Sequence, residues 1–193
     1  MRQGAAVKRL SGSSGVTLVE LLIVVAIIGI VAGIAIPKID LTRYRVDGAM
    51  QSAGMVLLGA QRLAATRQFD VIVGFDQAND AIRVHQDANN NGVVDGGELV
   101  IQRALGDLVV FGRAGAGAHA VGAAAVTFTQ MRNGLPSVTF HRNGSASEYG
   151  GVYVTSRRAV LAGLATDSRL LEIERSTGRT SWYRYNNGWI RGF

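Results

Sequence analysis

One stretch of oxygen-bearing side chains has the spacing of a calcium-binding loop. It runs from Asp87 to Glu98 as DANNNGVVDGGE and fits the pattern D-x-[DN]-x-[DN]-G-x₅-E. Ca²⁺ takes roughly six to eight oxygen ligands, and alternating acidic and amide side chains around a glycine turn can supply them. The predicted ligands are the side chains of Asp87, Asn89, Asn91, Asp95 and Glu98 with the backbone carbonyl of Val93.

The same stretch also fits a plain turn. Asn, Asp and Gly favour tight turns because they tolerate left-handed backbone conformations or hydrogen-bond to their own backbone. The flanking residues resemble strands, so an Asn-rich hairpin loop is the alternative to a calcium site. Both interpretations stay open, and neither requires a cofactor for the chain to fold.

The sequence contains no recognisable catalytic constellation. It has no cysteine, which excludes disulfides, thiolate metal sites and cysteine nucleophiles. The three histidines show no ligand-spaced pair, and His119 is expected to be exposed, while His85 and His141 occupy strands. No glycine-rich phosphate loop with a lysine occurs. We therefore predict that the chain is not an enzyme.

A single acidic residue interrupts a long apolar block. Glu20 is the only charged residue between Val16 and Ile36, a stretch long enough to cross the roughly 30 Å hydrocarbon core of a bilayer as a helix. A carboxylate in lipid costs about 2.5–3.5 kcal/mol at the helix centre and less near an end, so a partner is expected. If the chain were cut after Gly15, the new α-amine of Val16 on a neighbouring subunit could pair with Glu20.

The segment before the apolar block is short and basic. Arg2, Lys8 and Arg9 precede the block, which places the N-terminus in the cytoplasm. Without these three residues the formal net charge of +6 becomes +3, which is weak support for a nucleic-acid partner. An ordinary signal peptide fits less well, because its apolar core usually has only about 7–15 residues. A plain signal anchor is the remaining alternative.

The stretch SSGVTLVELLIVVAIIGIVAGIAIP resembles the prepilin N-terminal motif of type IV pilins and type II secretion pseudopilins. The resemblance implies cleavage after Gly15 by prepilin peptidase and N-methylation of Val16. It also implies that Glu20 guides assembly and that Pro37 bends the helix. Val16 departs from the pattern, since the family most often has Phe at this position.

The rest of the chain predicts an α+β fold, with a long N-terminal helix packed on an antiparallel β-sheet head in the manner of pilins. The predicted parts are a leader peptide (1–15), a transmembrane and assembly helix (16–37), the amphipathic half of that helix (38–68) and a β-rich head (69–193). Strands are expected at 69–75, 81–86, 99–103, 108–111, 126–129, 138–141, 152–155, 170–175 and 179–185. Residues 112–125, rich in Gly and Ala, are expected to form a mobile loop.

Several looser stretches, among them AQRLAATRQFDVIV and IERSTGRTSWYR, resemble the GspH/FimT branch of minor pilins and pseudopilins. The resemblance implies a structural subunit of a type II secretion pseudopilus or type IV pilus. Such a subunit would span the inner membrane once, with a periplasmic head, and then enter the filament. Its expected partners are other pilins, prepilin peptidase and inner-membrane lipid.

An alternative function is DNA capture for uptake. Some members of the branch bind DNA through a Gly-Arg-x-Arg element, and the matching stretch here is Gly178-Arg179-Thr180-Ser181, which lacks the second arginine. Arg184 or Arg191 would have to replace it. The competing interpretation of these arginines and the neighbouring aromatic residues is a solvated sheet face above core aromatics.

Overall fold

The structure, a computed structural model, describes residues 15–35 and 41–192 of the chain. The chain divides into two compact units at residue 41. The first unit contains helix α1 (Leu18–Ala35), and the second contains the remaining elements. The predicted leader up to residue 14 and the predicted bend at Pro37 lie outside the described residues.

Helix α1 is apolar on all sides. Its sequence is LVELLIVVAIIGIVAGIA, and its large side chains are exposed, from 50% for Ile23 to 80% for Leu18. Its 18 residues correspond to about 27 Å of helix. Over residues 15–35 and 41–192, no helix combines the length and apolarity that crossing a membrane requires. The end of the predicted span 16–37, residues 36 and 37, lies outside the described residues.

The head is built from α2 (Thr42–Arg67) and two five-stranded sheets. The first sheet has the order β3 (Val100–Ala104), β2 (Ala81–Asp87), β1 (Asp70–Asp76), β6 (Leu135–Phe140) and β5 (Met131–Arg132). The second has the order β10 (Trp189–Arg191), β9 (Thr180–Tyr185), β8 (Arg169–Ile173), β7 (Gly150–Ser156) and β4 (Val109–Phe111). The strand pairs are antiparallel in both sheets.

Helix α2 buries a narrow stripe of side chains against both sheets. The buried residues recur every three or four positions, as one face of a helix requires: Val46, Ala49, Met50, Ala53, Gly54, Leu57, Ala60 and Ala64. Small residues dominate this stripe, so the helix axis can approach the strands closely. The sheets contribute larger side chains to the same core, including Phe75, Phe128 and Phe140. Phe75 and Phe128 stack with ring centroids 5.3 Å apart.

Two ion pairs attach the first turns of α2 to Asp167, just before β8, and to Arg169, the first residue of β8. Arg43 Nε donates to Asp167 Oδ1 at 3.2 Å, and Arg169 Nε donates to Asp47 Oδ1. Arg169 is buried, and its guanidinium also donates to the backbone carbonyls of Thr166 and Ser168. Because a buried guanidinium without acceptors would be costly, these bonds fix the start of the helix on the second sheet.

The α+β prediction is confirmed, with two differences in detail. The predicted helix 38–68 corresponds to α2, and most predicted strands lie within one or two residues of their observed positions. Residues 126–129 are not a strand, because Val126 makes only an isolated bridge to Val152. Helix α3 (Arg157–Ala162), β5 and β10 were not predicted.

Residues 112–125, predicted to be a mobile loop, pack against the second sheet. Tyr153 donates its hydroxyl proton to the carbonyl of Gly122 at 2.7 Å and accepts the His119 N–H at 2.9 Å. Trp189 donates its indole N–H to the carbonyl of Gly117 at 2.8 Å. Hydrogen bonds from Tyr153 and Trp189 therefore hold this loop on the second sheet.

Two glycines of α2 provide a matched test of this packing. A Cβ at Gly54 would lie 2.5 Å from the Trp182 ring, whereas a Cβ at Gly59 would meet nothing within 4 Å. We expect Gly54→Ala to lower the free energy of unfolding by about 1–3 kcal/mol, through overpacking. Gly59→Ala should raise it by about 0.5–1 kcal/mol, because alanine favours the helix. Chemical denaturation measures both, and equal effects would contradict the packing of Trp182 on α2.

Candidate functional site

The start of α1 is closed by a reciprocal pair of hydrogen bonds between Thr17 and Glu20. Glu20 Oε2 accepts from the backbone N–H and from the hydroxyl of Thr17, each at 2.8 Å. The backbone N–H of Glu20 donates back to Thr17 Oγ1 at 3.2 Å. This is a capping box, in which each side chain satisfies an orphan N–H at the helix start.

The capping box shows that Glu20 has a partner within its own chain. Sequence reasoning looked for that partner only on a neighbouring subunit, although the T-x-x-E pattern before an apolar run was visible. The box uses Oε2, and Oε1 makes no hydrogen bond with any residue in the described ranges. The carboxylate can therefore close the helix and still accept a second donor. Gly15 and Val16, the predicted processing residues, directly precede the box, and Val16 is exposed.

The acidic loop connects β2 to β3, and its first residue organises it. Asp87, buried at the end of β2, accepts the backbone N–H of Asn91 on Oδ1 at 3.0 Å and that of Gly92 on Oδ2 at 2.7 Å. Gly92 has a φ of +77°, which glycine adopts without strain. The loop thus turns sharply at the glycine of the calcium pattern.

Three of the predicted ligands converge on one point of this loop. The side-chain amides of Asn89 and Asn91 both donate to Asp95 Oδ2, at 2.7 and 2.6 Å. These residues and Val93 are exposed. Asp95 therefore faces two amide N–H groups, while the side-chain oxygens of Asn89 and Asn91 accept the backbone N–H groups of Asn91 and Val93.

Glu98, the predicted closing ligand, has both carboxylate oxygens occupied, and Oε2 accepts the backbone N–H of Asp95 at 3.0 Å. Its Oε2 lies 2.7 Å from Nε2 of the buried His85, and its Oε1 accepts the backbone N–H of Ala88 at 2.9 Å. The His85 hydrogen bond, helped by the backbone N–H of Asp95, holds the pKa of the Glu98 carboxyl below its usual value. Over the described part of the chain, no three acidic or histidine side chains are grouped to hold a metal ion.

The three arginines predicted for DNA contact do not form one cluster. Arg179 and Arg191 line the same open groove, of about 680 Å³, together with Trp182. Arg184 pairs with Ile190 and Arg191 with Tyr183 across β9 and β10. Since cross-strand partners share a face and neighbours along a strand alternate, Arg184 and Arg191 lie on opposite faces of the sheet.

The aromatic residues of β9 and β10 are partly covered. His119, expected to be exposed, is half-buried and lies 4.6 Å from the Tyr183 ring, centroid to centroid, and 3.2 Å from Glu172 Oε2 through Nδ1. Trp189 packs on Tyr185 and Tyr153 beneath residues 112–125. This arrangement favours the interpretation of a sheet face with packed aromatics over a stacking platform for bases.

The Glu98 carboxyl predicts a pH-dependent contribution to stability. A lowered folded-state pKa means that the contribution is complete above the ordinary pKa of about 4.3 and disappears as the pH falls through the folded value. We expect Glu98→Gln to lower the melting temperature at neutral pH and to match the wild type in strong acid. Thermal unfolding from about pH 3 to 7 measures this, with the exposed Glu174→Gln as control. A difference independent of pH would contradict the assignment.

Comparison with known proteins supports the prediction for the N-terminus. Residues 10–36 match the family model of the prokaryotic N-terminal methylation motif. No curated protein matches the chain significantly. The minor pseudopilin EpsH from the type 2 secretion system of Vibrio cholerae is similar in structure, with a TM-score of 0.49 and 13% identity over 72% of this chain and 97% of that chain. The chain therefore carries a prokaryotic N-terminal methylation motif ahead of an α+β head.

Proposed function

We propose that the chain is a structural minor subunit of a type II secretion pseudopilus or type IV pilus, of the GspH/FimT kind. Prepilin peptidase would cut it after Gly15, and Val16 would then be N-methylated. The observation that carries this proposal is the coincidence of the methylation motif at residues 10–36 with an apolar helix that has one carboxylate, Glu20, in its first turn. The proposed role is mechanical and needs no catalytic group.

The exposed surface of α1 is the reason to expect a membrane and then a filament. A helix that exposes Leu18, Leu21 and Ile30 by 60% or more is unfavourable in water, at about 25 cal/mol per Å² of apolar surface. Lipid of the inner membrane would cover it before assembly, with residues 16–37 as the anchor. The N-terminus would lie in the cytoplasm and the head in the periplasm. Helices of other pilins would replace lipid in the filament.

Glu20 would direct the transfer from lipid to filament. In the processed chain, Val16 carries a new α-amine immediately before the capping box. Glu20 Oε1 has no donor among the described residues, so it can accept a neighbouring subunit's amine without opening the box. Neutralising a carboxylate in apolar surroundings favours the docked arrangement, because an unpaired charge there is costly.

Separating the capping role of Glu20 from its charge tests this proposal. Glutamine can still close a capping box but carries no charge. We expect Glu20→Gln and Glu20→Ala each to reduce incorporation into filaments at least about tenfold, with the chain stable and membrane-bound. Thr17→Val, which removes the capping hydroxyl and keeps the charge, should retain most incorporation.

Quantitative immunoblotting of sheared filaments against the membrane fraction measures incorporation. Intact mass spectrometry of each variant is the control, because the processed chain should begin at methylated Val16. Normal incorporation of Glu20→Gln would refute the charge pairing. A mature wild-type chain that keeps residues 1–15 would refute the proposed processing.

For the acidic loop we propose that its own hydrogen bonds order it and that Ca²⁺ binds as an additional ligand. The spacing of Asp87, Asn89, Asn91 and Asp95 in one loop supports this. Because both asparagines now turn their amide N–H groups towards Asp95, each would have to turn its oxygen towards the ion. Glu98 would join the ligands only after releasing His85. The ion would supply positive charge to Asp95, and binding would stabilise the loop.

Titration calorimetry with CaCl₂ on the full chain in detergent tests this. We expect one weak site, with a Kd of about 10⁻⁴–10⁻³ M, as in extracellular calcium modules. Asp95→Asn should abolish the heat, whereas Asp107→Asn, a change outside the loop, should leave it unchanged. Absence of heat and of a thermal shift in the wild type would leave a plain turn.

DNA capture is the second candidate function, and the shared groove of Arg179 and Arg191 favours it. Phosphate contacts by arginine weaken steeply with salt. We expect a gel shift of duplex DNA at low salt that Arg179→Ala reduces and that Arg184→Ala, on the opposite face from Arg191, does not. No shift at low salt would end this alternative.

A further inference from the structure

We propose that the head has its own contact with the membrane: a groove between the start of α2 and α3 that holds an anionic phospholipid headgroup at the bilayer surface. This inference rests on the proposed function, because it requires the chain to be anchored through α1. It adds a second, lipid-specific contact, which would orient the head before assembly.

The groove has a volume of about 420 Å³ and is lined by both charged and apolar side chains. Its walls come from three places: the first turn of α2, the turn before β4, and α3. The residues that matter are Arg45, Leu108, Arg157, Arg158 and Leu161, with Asp107 at the edge. Apolar walls between guanidinium groups match a headgroup, whose phosphate is charged and whose acyl stems are apolar.

Two leucines at this groove expose more than half of their surface to solvent. Leu161 is 85% exposed on α3. Leu108 has a φ of +63°, a left-handed conformation that is rare for a side chain of its type, and it is 57% exposed. The turn before β4 would favour Gly or Asn at this position. Leu161 is almost uncovered and Leu108 only partly covered, so an external apolar surface is the expected partner of both.

The charges around the leucines favour phosphate. Arg45 lines the groove. Among the residues that the structure describes, its side chain makes no hydrogen bond or ion pair. Arg157 holds Asp80 only at 3.4 Å and keeps 64% of its side chain exposed. Arg45, Arg157 and Arg158 line the groove with Asp107, and Asp80 is the partner of Arg157. Guanidinium groups are suited to phosphate oxygens, and each adds about a fivefold gain in binding to an anionic surface.

A second copy of the chain is a less suitable occupant. In a symmetric contact the same arginines would face one another, and like charges placed together across an interface are unfavourable. An anionic headgroup brings the opposite charge and the apolar stems together. The observations therefore favour lipid over self-association.

The cysteine-free sequence allows a direct test with the full chain. Leu161→Cys carries a fluorophore, and Leu99→Cys, 51% exposed at the opposite end of β3 from the groove, is the control. Each chain is reconstituted in phosphatidylcholine vesicles with increasing phosphatidylglycerol and lipids brominated near the headgroup. We expect phosphatidylglycerol-dependent quenching at Leu161 and none at Leu99. In the double variant Arg45→Gln and Arg157→Gln, half-maximal quenching should require a phosphatidylglycerol fraction about tenfold higher or more. The control Arg67→Gln, at the other end of α2, should leave this fraction unchanged.

Flotation of the vesicles separates the two levels of the proposal. A chain that floats with the vesicles while Leu161 stays unquenched contradicts the groove and leaves the anchor intact. Quenching that ignores phosphatidylglycerol and the arginine changes also contradicts the headgroup assignment. An unquenched label whose emission changes with protein concentration assigns the groove to a protein neighbour instead. A chain that fails to float contradicts both the groove and the anchor.

Discussion

The carboxylate of Glu20 lies in the first turn of a helix whose other side chains are almost all apolar. Such a charge must be satisfied wherever the helix is placed, because an isolated carboxylate in lipid or in a bundle of apolar helices is unfavourable. Thr17 satisfies one oxygen through the capping box, and the second oxygen is left to an outside donor. The proposed assembly follows from this second oxygen, because processing creates a positively charged α-amine at Val16, next to the capping box.

The head supports this role by fixing the helix that follows. α2 buries a stripe of small side chains against two sheets, and the pairs Arg43–Asp167 and Asp47–Arg169 tie its first turns to the second sheet. The glycine at position 54, beneath Trp182, shows how closely helix and sheet approach. These contacts hold α2 rigidly within the head, as a filament subunit needs.

The sequence predicted the parts that depend on periodicity and missed those that depend on tertiary contacts. The apolar block, the stripe of α2 and most strands follow from spacing alone. Residues 112–125 form the predicted loop, but Tyr153 and Trp189, which hold it on the second sheet, are distant in sequence. Glu98 matched a calcium pattern, yet His85, thirteen residues earlier, engages it. The face occupied by Arg184 depended on strand register, which no short motif specifies.

The charge pair between subunits can be measured directly by solid-state NMR on mixed filaments. One population of subunits would carry ¹⁵N-valine and the other ¹³C-labelled glutamate carboxyl groups. The α-amine of Val16 resonates apart from backbone amides, so its dipolar coupling to the Glu20 carboxyl can be observed alone. The account predicts a coupling across subunits that corresponds to a nitrogen–oxygen separation of about 4 Å or less. The absence of coupling in the mixed filaments would contradict it, and so would coupling that appears only when one chain carries both labels.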